Sequence, residues 1–276
     1  MAAATPIFAS MLKQWRRHRH ISQLDLACEA GVSQRHVSFL ETGRANPSRQ
    51  MVLALASSLD MPLRERNSLL QSAGFSAAFS EGSLDQDSHQ IFRDALQQNL
   101  DHAEPFPALV LDGKWNMIMA NTAALRFFGQ FVDPIAANVA IGNPERYQIV
   151  RLCLHEQGLQ PFIVNWQDLV ATYLSRARRA LLANPQDQHL PVLIDEIVNH
   201  PLAPDDWRTV WSANPAPAVE MILKKDGQEY HLFTMLAHFG APTDITLEEL
   251  SVEMFYPANE ETRTLLHTLA GIEVGI

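Results

Sequence analysis

The sequence predicts a multidomain protein of mixed class. An all-α domain of five short helices fills residues 1–75, and an α+β domain with an antiparallel sheet fills residues 105–276. Three observations predict this. Apolar residues recur at helical spacing through the first 75 positions, in short runs punctuated by Ser, Gly and Pro. Beyond position 105 the runs shorten and turn β-like around Asp-Gly pairs. The charge also changes sign. Nine Lys/Arg against five Asp/Glu give residues 1–75 a charge of +4, which leaves −14 for the remainder of a chain whose net charge is −10.

The first helix covers Ile7–Arg19, with Ile7, Met11 and Trp15 on one stripe and Phe8 and Leu12 beside it. Ser22 caps a second helix, Gln23–Ala30, which Gly31 ends; Ser33 caps a third, Gln34–Thr42, which Gly43 ends. After Asn46-Pro47-Ser48 a fourth runs to Leu59 with Val52, Leu55, Ala56 and Leu59 inward. Pro62 sits in the first turn of a fifth, which Gly74 stops. Residues 76–104 connect the domains: a small polar stretch over 76–88, overlapping an amphipathic helix over Leu84–His102 with Ile91, Ala95 and Leu96 near one face. Strands at Ala108–Leu111 and Trp115–Met119 flank Asp112-Gly113, and a helix follows from Asn121 to Phe128. A helical middle, roughly 144–212, is interrupted by prolines. Strands at Val219–Leu223, Tyr230–His238 and Leu250–Tyr256 complete the sheet, the first two joined at Asp226-Gly227.

Two short capped helices separated by Gly31-Val32-Ser33 form the core of a helix-turn-helix. Such a motif lays its second helix in the major groove, with its leading residues on base edges. That demands polar side chains at the start of the third helix and apolar ones behind. The sequence supplies Gln34, Arg35 and His36, backed by Val37 and Leu40. Arg and Gln each make two hydrogen bonds to one purine edge. The positive first domain fits a polyanionic partner.

The run LKQWRRHRHISQLDLACEAGVSQRHVSFLETGRANPS resembles the lambda-repressor-like family, of the xenobiotic-response-element or Cro/C1 type. The matching features are Ser22-Gln23, Leu26-Ala27, Gly31-Val32-Ser33, Val37, Leu40-Glu41, Gly43 and Asn46-Pro47. The resemblance implies that Gln23, Ser33, Gln34, Arg35, Ser38, Phe39 and Arg44 face double-stranded DNA; His36 joins them by its place at the leading end. Phe39 replaces the polar residue often found there, and either meets a thymine methyl or packs. The family's pairing of a first-helix arginine with the glutamate ending the third helix falls here on Arg16 and Glu41, a structural role. The competing reading is a five-helix bundle that binds protein.

In the second domain, PALVLDGKWNMIMANTAALRFFG resembles a PAS-like sensor core, and the whole chain is similar to the MmyB-like regulators. The likeness rests on Asp112, Trp115, Asn121, Ala123-Ala124, Phe128-Gly129, Asn165-Trp166 and the Phe255–Asn259 end. It implies a pocket for an apolar small molecule such as a fatty acid. An acyl pocket needs apolar walls and a few polar groups to fix one end. Candidate walls are Trp115, Met117, Met119, Phe127, Phe128 and Phe131 from the first half of the domain. Phe162, Trp166, Met221, Leu223, Phe233 and Met235 complete the set. For any one of them a place in the core is the simpler reading. Asn121 reads as the cap of the helix beginning at Thr122, not as a ligand contact.

Other chemistry finds little support. HExxH, zinc-spaced Cys/His pairs, GxSxG, phosphate loops and dinucleotide fingerprints are absent from the sequence. No metal site and no catalytic residues are therefore expected. Cys153 and His155 with Glu156 are the one compact cluster, but on a helix Cys153 and His155 face different sides. Two distant cysteines suit a reducing compartment, and no apolar run reaches the ~18 residues of a membrane span, so a cytoplasmic protein is expected. The reading is a homodimeric, ligand-responsive transcription factor whose heads sit on half-sites ~34 Å apart or a multiple of that. The alternatives are a DNA-binding head fused to a purely dimerising domain, or to an enzyme domain for an acyl or aromatic substrate.

Overall fold

The structure is a computed structural model that describes residues 6–142, 147–207 and 219–271. Contacts divide the chain into two compact units. The first holds the chain through Gly82 with Leu181–Asp187 and Ala241–Glu248; the second holds Ser83–Ala180, Gln188–Gly240 and the chain from Glu249 onward.

Five helices build the first unit: α1 Pro6–His18, α2 Gln23–Glu29, α3 Gln34–Glu41, α4 Arg49–Ser58 and α5 Leu63–Ser72. Serine caps start three of them. Ser22 Oγ accepts from the Asp25 N–H while Asp25 returns a bond to the Ser22 N–H, a reciprocal capping box. Ser33 and Ser48 accept from the N–H groups of His36 and Met51. Pro62 stands one residue outside α5, as its N-cap. Gly31 and Gly43 lie at φ +66° and +71°, a left-handed turn that any Cβ would strain. Phe8, Leu12, Trp15, Leu26, Val37, Leu40, Val52, Leu55, Leu69 and Leu70 are fully buried in one cluster, so the apolar stripes of all five helices meet in one core. Ile7 is 65% exposed, so the inward stripe of α1 runs through Phe8 and Leu12, not through Ile7.

The second unit is built on one six-stranded antiparallel sheet. Its strands are β1 Ala108–Leu111, β2 Asn116–Ala120, β3 Tyr147–Gln148, β4 Glu220–Lys225, β5 Gln228–His238 and β6 Ser251–Pro257. They lie in the order β3-β2-β1-β6-β5-β4. The β4–β5 turn is a tight hairpin because Asp226 and Gly227 both take positive φ, 51° and 82°. Its helices are α6 Gln90–Ala103, α7 Thr122–Phe128, α8 Pro134–Ala140, α9 Ile149–Leu154, α10 Trp166–Ala183, α11 His189–Val198 and, after α12 Ile245–Glu249, which falls almost wholly within the first unit, α13 Glu260–Leu269; single 3-10 turns lie at Asp87–His89 and Gln160–Phe162.

The structure corrects several expectations. The connecting helix begins at Gln90 after the 3-10 turn, and its buried positions are Leu96 and Leu100; Ile91 is 71% exposed. Four-residue spacing selects the Leu96–Leu100 edge and turns Ile91 away from it. Trp115 does not start β2. It sits before the strand at φ +61°, in the left-handed region. The chain does not end in strands: α13 follows, capped by Asn259, which accepts from the Thr262 N–H. Neither α8 nor β3 was expected. α8 is signalled by Asp133-Pro134, the aspartate accepting from the N–H groups of Ile135 and Ala136. Within the expected helical middle, residues 144–146 and 208–212 lie outside the described residues.

Candidate functional site

The third helix presents the face that DNA docking requires. Ser33, Gln34 and Arg35 are exposed at its leading end, while Val37, Leu40 and Glu41 are buried behind. His36, Ser38 and Phe39 are half-buried, and Arg44 is exposed just beyond. The Arg35 guanidinium lies 5.1 Å over the Phe39 ring. Stacking on a ring four residues away restricts this flat cation to few orientations while leaving its donors free.

Gln23 is engaged within the domain: its Nε2 donates to Glu41 Oε2 at 2.8 Å. That bond belongs to a buried network. Arg16 Nε and Nη2 donate to the two Glu41 oxygens at 2.6 and 2.9 Å, and Nη1 donates to the Ile21 carbonyl at 2.8 Å. The Glu41 side chain is 2% exposed. Burial pushes its carboxyl up, but hydrogen bonds from Arg16 and Gln23 and the charges of Arg16 and Lys13 outweigh this and hold it below the ordinary glutamate value. The network pins α1 to the end of α3 and so fixes the angle of the recognition helix.

Much of the positive charge of the first unit is spent inside it. Arg19 Nε donates to the Leu59 carbonyl, Arg66 to the Met61 carbonyl, and Arg64 grips Glu81 with both nitrogens. Lys13, Arg17, Arg35 and Arg44 are the exposed cations left without such a partner among the described residues. The composition alone could not tell these two groups apart.

The second unit holds an apolar cavity of about 140 Å³. Its walls come from β1 and β2 (Leu109, Met117), α7 (Ala124, Leu125, Phe128), α9 (Ile149, Leu152, Cys153), β4 (Met221) and β6 (Glu253, Phe255). Gly129, Val132, Tyr147, Leu159 and Tyr173 complete the lining.

Of the twelve residues expected to line a pocket, Met117, Phe128 and Met221 do so. The others are placed elsewhere for identifiable reasons. Phe127, Phe131, Phe162 and Tyr230 form an aromatic cluster, with Phe131 5.4 Å from Phe127 and 5.5 Å from Phe162. Trp166 is held by structure: its Nε1 donates to the Cys153 carbonyl at 2.8 Å and its ring lies 4.6 Å from His200. Leu223 is fully buried beneath its sheet, and Met119 is half-buried on β2 outside the lining. Phe233 and Met235 follow the buried Leu232 by odd offsets, so they leave from the opposite face of β5. There Phe233 stacks on Tyr256 at 5.6 Å and Met235 is 52% exposed. Trp115 packs over the Arg176 guanidinium at 4.7 Å.

Glu253, Cys153 and Tyr173 are neighbouring polar groups of the lining. Glu253, 1% exposed, takes a hydrogen bond from Arg176 Nη1 through Oε1. Burial raises its carboxyl, against the charge and hydrogen bond of Arg176. Burial also pushes the Cys153 thiol up to about 12 and raises the Tyr173 phenol, two neighbouring side chains of the lining. Sequence reasoning missed Glu253 because an acid amid apolar strand residues gives no periodic signal. The place of Cys153 beside His155 and Glu156 in the sequence does not translate into a cluster: among the described residues no three His, Cys, Asp or Glu side chains gather as a metal would need.

Asn121 performs the capping role expected of it, and more. Its Oδ1 accepts from the N–H groups of Ala124 (2.9 Å) and Ala108 (3.0 Å); its Nδ2 donates to the carbonyls of Phe106 (2.8 Å) and Leu100 (3.3 Å). One side chain thus ties α6, β1 and α7 together and sets the cavity wall.

No helix among the described residues is long and apolar enough to cross a membrane. No curated protein matches the chain. Comparison with protein families matches residues 12–66 to a helix-turn-helix family and residues 92–269 to the MmyB-like transcription regulator ligand binding domain. With its α3 face, its cavity and these two matches, the chain belongs to the MmyB-like transcription regulators, in which a DNA-binding helix-turn-helix is joined to a ligand-binding domain.

Proposed function

We propose that this regulator reads a roughly palindromic operator as a homodimer and responds to an acyl-chain ligand, fatty-acid-like in its apolar part, held in the cavity of its second domain. The observation that carries the ligand half is the cavity's lining, which is aliphatic and aromatic over most of its extent, with Glu253, Cys153 and Tyr173 as neighbouring polar groups. That is how a site binds a chain by burial and orients it by one end. For the DNA half, Ser33, Gln34, Arg35, His36, Ser38, Phe39 and Arg44 form the contact face; Gln23 supports it through Glu41. One helix of this length reads only a few base pairs, so two copies supply the specificity a genome demands.

The ligand reshapes regulation only if it binds one head arrangement better than another. Native mass spectrometry of the freshly purified full chain tests ligand and assembly together. A dimer carrying an added mass of lipid size, lost on denaturation, is the expected result; an empty dimer that takes up no apolar probe overturns the ligand half. Selection of bound duplexes from a random pool tests the other half. Arg35→Ala should weaken binding of the selected sequence by about 1–3 kcal/mol and relax one base preference, and an unchanged selection would remove α3 from the groove.

A further inference from the structure

Among the residues that line the cavity, Glu253 alone is charged. The nearest guanidinium, that of Arg176, is not part of the wall and is held from two sides. Nη1 is bonded to Glu253 Oε1, and the Trp115 ring covers the guanidinium at 4.7 Å. Trp115 is itself fixed, at φ +61°, with its N–H on the Asp112 carbonyl at 2.9 Å and its carbonyl accepting from the Ile149 N–H at 3.2 Å. Swinging Arg176 into the cavity would break its bond to Glu253 and leave that side chain buried without a counter-charge, a costly exchange. Glu253 Oε2 has no hydrogen-bond partner among the described residues, and an ionised carboxylate oxygen accepts but cannot donate. Burial keeps the protons on the Tyr173 hydroxyl and the Cys153 thiol, which neighbour each other in the wall.

An anionic ligand end placed here would meet a second buried anion, where like charges repel strongly in a low dielectric. A hydroxyl or amide would instead donate to the free oxygen and satisfy it. We propose that this cavity selects an uncharged amphiphile, an apolar chain ending in a hydrogen-bond donor such as a hydroxyl or primary amide, over the same chain ending in a carboxylate. Glu253 is the specificity-determining acceptor, and Arg176 and Trp115 are its positioning residues. The inference rests on the cavity being the ligand site.

The test uses the full chain stripped of lipid and loaded with the neutral fluorescent probe N-phenyl-1-naphthylamine. Displacement by 1-decanol is compared with displacement by decanoate at a pH of about 8, where the acid is ionised. The alcohol should displace the probe at about tenfold lower concentration or less. Glu253→Gln keeps an acceptor of the same shape and removes the charge, so it should narrow the gap to about threefold. Decanoate binding the wild type as tightly as decanol overturns the selection rule while leaving the cavity as the ligand site. Failure of the probe and both compounds to bind overturns the site and the rule together. Because the wild type alone separates these outcomes, the rule stays testable if the Gln variant does not fold.

Discussion

Removal of Arg16 tests the account of the recognition helix most directly. Arg16→Ala deletes two hydrogen bonds to Glu41, at 2.6 and 2.9 Å, and one to the Ile21 carbonyl at 2.8 Å. It leaves a carboxylate whose side chain is 2% exposed with Gln23 as its remaining hydrogen-bond partner. Orphaning one member of a buried pair costs about 3–5 kcal/mol, and the surviving Gln23 bond offsets roughly 1. A net loss of about 3 kcal/mol is a large share of the stability of a domain this small. Hydrogen exchange of the full chain, followed by mass spectrometry of peptides from α1 to α3, reads the loss locally. Protection should fall roughly hundredfold there and stay unchanged in peptides from the sheet. Replacing both partners by Met and Leu should recover most of the loss, since apolar pairs of similar volume fill such sites well. Protection unchanged within about threefold in Arg16→Ala would refute the reasoning.

The same pair sets a response to acid. The Glu41 carboxyl lies below its ordinary value in the folded state, so its contribution is present above that value, near pH 4.3, and fades as pH falls through the folded one. Exchange in α1 to α3 should accelerate below about pH 4.3 in the wild type and less so in Glu41→Gln. Glu253 has the opposite sign: its raised carboxyl favours the folded state below the ordinary value and opposes it as pH rises. Asn121→Ala removes a helix cap and strands the Phe106 carbonyl, which should lower the stability of the second unit by about 1–3 kcal/mol in urea titration; Asn121→Asp keeps the cap acceptor but turns a buried charged oxygen on the Phe106 and Leu100 carbonyls, so it should cost at least as much. Cys28 is exposed and Cys153 buried with its thiol pushed up to about 12, so iodoacetamide should modify only Cys28 in the native chain and both in urea. Rapid labelling of Cys153 in the folded protein would contradict its burial.

Most of the first unit was legible in the sequence because its signals are local. Ser22 and Ser33 cap helices, Gly31 and Gly43 end them, and each acts within four residues of itself. The second unit was legible where the same held, at Asn121 and at the Asp226-Gly227 turn. Its cavity was not. Large apolar residues mark a core, but which of them border empty space depends on strand register and on helices far away in the chain. Met117 and Met119 are two positions apart on one strand, yet the ladder shifts register between Val110 and Leu111 opposite them, and only Met117 lines the cavity. Leu125 and Leu152 border it because α7 and α9 meet the sheet there, a fact of tertiary packing. Aromatic size does not mark the cavity either: Phe127 and Phe131 spend their rings on each other and on Tyr230.

The place of β6 in the sheet carries a consequence for synthesis of the protein. β1 is flanked by β2, a few residues on, and by β6, which comes more than a hundred positions later. β6 also brings Glu253 and Phe255, one side of the cavity. The apolar cluster of the five-helix unit, by contrast, is complete by Leu70. A ribosome therefore releases every residue of the DNA-reading core long before the sensing chamber has its last wall. A message cut short ahead of codon 250 would encode all five helices of the first unit while lacking one side of the chamber.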